Sequence, residues 1–137
     1  MALSYHPKRG TIVAVNFDKA FKEPEMVKPR LCVVISPPIA ARVGLCTVVP
    51  LSTTVPNPPQ AYHYQLDIPF QLPAAWGNIP RWVKGDMIYA VGLHRVDLLR
   101  LGKDANGKRI YQLSRLSDVH MKAISHCVLY GLGIPPL

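Results

Sequence analysis

Apolar residues in this chain come in short blocks divided by prolines and polar runs. "GTIVAVNF" (10–17), "RLCVVIS" (30–36) and "GLCTVVPLSTT" (44–54) are rich in β-branched residues and short, which predicts three strands. A fourth strand is expected around "YHYQLDI" (62–68), after the Pro-rich turn "VPNPPQ". The next block, "RWVKGDMIYAV" (81–91), reads as one strand in which Trp82, Asp86 and Ile88 alternate against Val83, Met87 and Tyr89. A short strand or turn follows near 94–101, and Asn106-Gly107 signals a hairpin with a two-residue loop.

The C-terminal pattern changes period. Ser117 is placed to cap a helix, Asp118 suits its first turn, and Leu116 can staple against Met121. His120, Ala123, Ile124, Cys127 and Val128 then recur at helical spacing, and Gly131 stops the segment. His120 is expected on the apolar face and His126 toward solvent. The composite is a mainly β domain, a small, strongly bent antiparallel sheet or barrel with one C-terminal helix. No internal repeat or linker divides residues 1–137, so a single domain is expected.

Composition supports that outline, since 14 prolines argue against a helical bundle. The 16 Lys and Arg against 8 Asp and Glu give a formal charge of +8, which points to polyanions or acidic protein segments as partners. The start, "MALSYHPKRG", carries no secretory pattern, and no segment reaches the roughly 18 apolar residues of a spanning helix. Cys32, Cys46 and Cys127 have no C-x-x-C spacing and sit in apolar blocks, where a thiol behaves as a small hydrophobe. A reduced cytoplasm is the simplest setting, with no membrane association, cofactor or metal expected; the five histidines are scattered and no phosphate-loop or hydrolase signature is present.

A small set of polar residues remains for chemistry. Arg30, at the start of the second strand, offers the planar fork best suited to a phosphate; the alternative is a surface pair with Glu25, typically worth ~0–1 kcal/mol. Ser52, Thr53 and Thr54 close the third strand as hydroxyl donors or as turn formers. Lys84 and Asp86, two apart on one predicted strand, share a face and form either a proton-transfer pair or an ordinary ion pair. Trp82 on that face is a stacking platform for a base or a core residue. Lys19, Lys22 and Lys28 make the long loop between the first two strands cationic. His94, Arg95 and Asp97 form a further polar cluster.

In order along the chain, "GTIVAVNFD", Glu25, Arg30, "VVISP", "GLCTVVPLSTT" and "VKGDM" resemble the PemK/MazF toxins of type II toxin–antitoxin systems. The resemblance runs over residues 10–95 and resumes in the C-terminal helix. It implies an SH3-like small barrel of the CcdB/MazF type, a homodimer, and metal-independent cleavage of single-stranded RNA. In that chemistry the ribose 2′-hydroxyl attacks its own phosphate and leaves cyclic-phosphate and 5′-hydroxyl ends. By the same resemblance catalytic positions fall on Arg30, Thr53 with Ser52, Asp86 and Glu25, with Lys84 beside them; the cationic loop residues Lys19, Lys22 and Lys28, together with Ser52 and Trp82, are the expected RNA-binding residues. An acidic antitoxin protein is the implied partner.

The chain also departs from the family pattern. Lys84 stands where some members carry a second arginine, Leu31 replaces the proline after the second-strand arginine, and the first long loop has no histidine. "LGKDANGKRIYQL" reads as an added or lengthened hairpin. Two rival readings follow: a CcdB-like toxin that binds a topoisomerase through its helix end, or a catalytically silent RNA-binding barrel. Against the first, the sequence shows no evident recognition patch at that helix end.

Overall fold

The computed structural model describes residues 3–18 and 21–135. Among the described residues there are nine strands and one α-helix: β1 (Ile12–Val15), β2 (Arg30–Val34), β3 (Leu45–Ser52), β4 (His63–Leu66), β5 (Arg81–Lys84), β6 (Tyr89–Gly92), β7 (Val96–Leu98), β8 (Arg100–Lys103), β9 (Arg109–Tyr111) and α1 (Asp118–Gly131). Strands β4-β5-β3-β2-β1-β7 lie side by side in one antiparallel sheet, and β6 also pairs with β3. The expected barrel is therefore an open, bent sheet. Strands β4 and β7 end the order without meeting.

The bend has a local cause in β3, whose outer edge is shared by two strands. Leu51 lies opposite Val83 while Val48 lies opposite Tyr89, so three steps along β3 correspond to six along its neighbour. Three extra residues are accommodated in a turn closed by the Met87 N–H donating to the Lys84 carbonyl, 3.0 Å. Such an insertion interrupts the ladder and bends the strand that carries it. The single strand expected over 81–91 is accordingly two, and Asp86 sits in the turn rather than two strand positions beyond Lys84.

Both faces of the central strands are buried, because β-branched residues occupy odd and even positions alike. Leu31, Val33, Val49, Leu51 and Val83 pack with Met121, Ile124 and Cys127 of α1. On the other face Val13, Val15, Cys32, Val34, Cys46 and Val48 pack with Phe17, and a Phe17–Phe21–Tyr89 aromatic cluster closes that side. Burying these side chains on both faces removes apolar surface from water at about 25 cal/mol per Å². The 16–29 loop is tied down at several points: Arg95 donates to the carbonyls of Asn16 and Asp18, each 3.0 Å, and Tyr89 Oη accepts the Met26 N–H, 3.1 Å. Arg95 also lies over the Phe21 ring, so its role in the His94–Arg95–Asp97 cluster is to hold this loop.

Helix α1 starts where its cap dictates. Ser117 Oγ accepts the His120 N–H, 3.4 Å, and Leu116 and Met121 share the core below it. Ser117→Ala is expected to cost about 1 kcal/mol, read as a lower urea midpoint. The other end is set by close packing: a Cβ on Gly85 would stand 2.6 Å from the Cys127 backbone, and one on Gly131 would stand 2.7 Å from the Gly85 carbonyl oxygen. Gly131 thus does more than stop the helix. It lets α1 sit directly on the turn that presents Lys84 and Asp86.

The β8–β9 hairpin falls at the expected place, with a longer loop than a two-residue turn. Asp104 Oδ1 accepts from the N–H groups of Asn106 and Lys108, both 2.9 Å, and Gly107 takes the positive φ of 77°. The short acidic side chain organises its own loop, and the three residues between Asp104 and Lys108 replace the two expected. Among the described residues no helix is long and apolar enough to cross a membrane.

Candidate active site

The register of the sheet brings together residues far apart in sequence. Cys32 lies opposite Pro50, and Arg30 and Ser52 each stand two positions beyond that pair on their own strands. Ser52 in turn lies opposite Trp82, and Trp82 opposite Gln65. Two residue pairs further, Lys84 lies opposite His63. Directly opposed residues share a face, and this face is the one that carries Cys32 and Cys46 rather than the helix. A row of polar side chains thus continues the second core outward, past its last apolar residue.

Arg30 is the most constrained member. It is half-buried at the start of β2, and its Nε is buried with no hydrogen-bond partner among the described residues. A guanidinium N–H removed from water and left unpaired costs about 1–3 kcal/mol or more. An anion arriving at this point recovers that cost. Glu25, the carboxylate nearest in sequence, is exposed and engaged locally: its Oε1 accepts the Lys22 N–H, 3.1 Å, in a turn of the loop.

Ser52 is 6% exposed and accepts the Thr54 N–H at 3.1 Å, which fixes the bend and leaves its hydroxyl proton for a further acceptor. Thr53 is exposed on that bend, and Trp82 and Lys84 are half-buried. Asp86 is exposed one residue past the Gly85 contact. Lys22 and Lys28 are exposed on the cationic loop, and Lys19 lies outside the described residues. The sheet register therefore unites Arg30, Ser52, Trp82 and Lys84 on one face; Thr53 and Asp86 lie in turns at its rim, and Glu25, Lys22 and Lys28 in the loop.

His63 is the residue that sequence reading passed over. It is half-buried opposite Lys84, its Nδ1 accepts the Gln60 N–H at 2.9 Å, and its ring packs on Tyr62 at 4.6 Å between centroids. Burial first, and then the Lys84 charge, holds its pKa below the usual histidine range, with Asp86 acting in the opposite sense. The only sequence signal was the β4–β5 pairing itself, which brings "HYQL" against "RWVK".

His120 Nδ1 meets the Tyr64 hydroxyl at 2.9 Å, while His126 is half-buried rather than turned to solvent, because its end of α1 packs on the β5–β6 turn. Arg81 is buried and donates to the carbonyls of Trp76, Gly77 and Ile79, and burial lowers its pKa. All three thiols are buried: burial pushes Cys46 and Cys127 each up to about 11 and Cys32 higher still, so none is a ready nucleophile. The helix end does expose apolar surface at Tyr130, Leu132 and Ile134, contrary to the sequence reading of that segment.

A mostly β antiparallel sheet with one C-terminal helix is the architecture of the MazF fold. The crystal structure of MazF from Deinococcus radiodurans superposes with a TM-score of 0.60 at 20% identity, over 96% of this chain and 100% of that one. An endoribonuclease in complex with its cognate antitoxin from a mycobacterial species gives 0.58 at 17% identity over 96% and 99%. The MazE–MazF complex from Deinococcus radiodurans gives 0.56 at 19% over 96% and 99%. Residues 8–129 match the family described as PemK-like, MazF-like toxin of type II toxin–antitoxin system, and the chain belongs to that family. No curated protein sequence matches the chain.

Proposed function

We propose that this toxin is an endoribonuclease that cuts single-stranded RNA without a metal ion, acting as a cytoplasmic homodimer until an acidic antitoxin covers it. The observation that carries the reading is the buried, unpartnered Arg30 Nε on the face that also holds Ser52, Trp82 and Lys84. A planar cation held out of water with a free donor is complementary to a phosphate oxygen. Its strongest use is on charge that develops during reaction.

In the proposed step the ribose 2′-oxygen forms a bond to phosphorus while the bond from phosphorus to the 5′-oxygen breaks. The 2′-hydroxyl proton goes to a base, the departing 5′-oxygen takes a proton from an acid, and the extra negative charge stays on the non-bridging oxygens. Arg30 faces those oxygens, with Ser52 and Thr53 as hydroxyl donors. Asp86 is the base and Lys84 the acid, brought to one turn by the insertion between β5 and β6. Trp82 offers its ring to a base of the strand, and the Lys22 and Lys28 side chains line the approach, with Glu25 shaping their loop.

The formal charge of +8 supports both the RNA and an acidic antitoxin as partners, since each is a polyanion. The exposed Tyr130, Leu132 and Ile134 favour a protein contact at the helix end as well, the feature a topoisomerase-binding toxin would need. One incubation separates these readings. With mixed-sequence single-stranded RNA in EDTA, the protein is expected to release fragments with cyclic-phosphate and 5′-hydroxyl ends. Intact RNA from a folded, antitoxin-free preparation would instead favour a protein-binding toxin or a silent RNA binder.

A further inference from the structure

We propose that His63 is a neutral hydrogen-bond donor to a backbone phosphate of the bound RNA, offering its Nε2–H beside the Lys84 ammonium and taking no part in proton transfer. The proposal rests on the RNA-cleaving reading above and assigns a further residue of that same site.

The tautomer is fixed by the backbone. Because Nδ1 accepts the Gln60 N–H at 2.9 Å, the ring proton of neutral His63 resides on Nε2. Protonating the ring would turn Nδ1 into a donor facing another donor. Accepting a proton at Nε2 is equally closed, since that nitrogen already carries one. No hydrogen-bond partner for Nε2 occurs among the described residues.

The surroundings agree with this arrangement. The groups facing His63 are Lys84 from β5, directly opposite it; Asp86 from the following turn; and Tyr62, whose ring packs against the imidazole. Helix α1 meets β4 through His120 and Tyr64 on the opposite face, and its far end, with His126 as the half-buried titratable residue there, packs on the Gly85–Asp86 turn. Burial and the Lys84 cation both hold the ring in its neutral form. A neutral N–H beside a lysine is a pair of donors aimed at one acceptor-rich group. The phosphodiester of a single strand has several such oxygens and, unlike a base edge, needs no sequence match.

Wild type, His63→Gln and His63→Ala are to be compared on the mixed RNA under single-turnover conditions from mildly acidic to alkaline pH, with RNA titrations and urea unfolding alongside. Loss of the donor in His63→Ala is expected to slow cleavage and weaken RNA binding about 10- to 100-fold at every pH. His63→Gln, whose amide NH2 reaches close to the Nε2 position, should recover most of that loss, with pH profiles of the same shape in all three proteins. A glutamine variant as impaired as alanine, with one limb of the profile missing, would make His63 a proton carrier and overturn the proposal. A wild-type rate in His63→Ala would overturn it as well, and so would a loss matched by a fall in the urea midpoint, which would assign His63 to the turn it shares with Gln60. Should the wild type cut no RNA, the nuclease reading fails by itself, and the titrations still decide whether His63 donates to the strand.

Discussion

Arg30→Ala is expected to reduce RNA cleavage by at least 10²–10³-fold while leaving the protein as stable as before. The rate loss follows from removing a cation aimed at the oxygens where charge accumulates, for which single preorganised donors are worth about 2.7–4 kcal/mol. The stability argument runs the other way from most arginine deletions. Arg30 Nε is buried without a partner, so truncation removes an unsatisfied donor and loses chiefly the packing of the aliphatic stem. These two terms offset each other to within about 1 kcal/mol. Cleavage assays and urea melts on the same preparations check both halves: retained cleavage removes Arg30 from the chemistry, and a large drop in the urea midpoint makes it a structural residue. Arg30→Lys should fall between, since it keeps the charge and loses the fork.

A second large effect is expected where no chemistry occurs. Gly85→Ala places a methyl group 2.6 Å from the Cys127 backbone and 2.7 Å from the Tyr62 carbonyl oxygen, and neither neighbour is the flexible end of a side chain. Either α1 or the β3–β4 connection must shift, at a cost of about 3 kcal/mol, visible as a lower urea midpoint with an unchanged slope. The Gly85 N–H to Tyr62 carbonyl bond, 2.9 Å, goes with it. Because the same turn presents Lys84 and Asp86, cleavage should fall further than the unfolded fraction explains. A Gly85→Ala protein with wild-type stability would mean that the helix sits less tightly on the turn than described.

The elements that the sequence announced are those whose signals are local. Strands β1 to β3 could be read from runs of β-branched residues, and α1 from Ser117, Asp118 and the helical spacing of Ile124 and Cys127. The break at Gly85 was hidden because alternation resumes on both sides of the three inserted residues, so the 81–91 block passes for one strand. What defeats such reading is an interaction made through space. Gly131 looked like a helix terminator, and only the packed structure gives its lack of a side chain a second purpose.

The same limit applies to the site. Arg30, Ser52 and Lys84 were picked out one at a time for their chemistry and for their family positions, yet their common face follows from strand register across β2, β3 and β5. His63 belongs to the row through its partner Lys84, 21 positions later in the chain, and offered no motif to find it by. Asp86 was assigned to the strand surface, whereas it lies exposed in the turn that follows β5.

Burial on both faces of β1, β2 and β3 has an evolutionary corollary. Each side chain in the middle of these strands is committed to one core or the other, so inherited change that preserves the fold must exchange apolar residues of similar volume. Strand ends and connecting loops carry no such obligation, and they are where Arg30, Thr53, Asp86 and the lysine loop are found. A protein built this way can change its strand ends and loops without altering its interior.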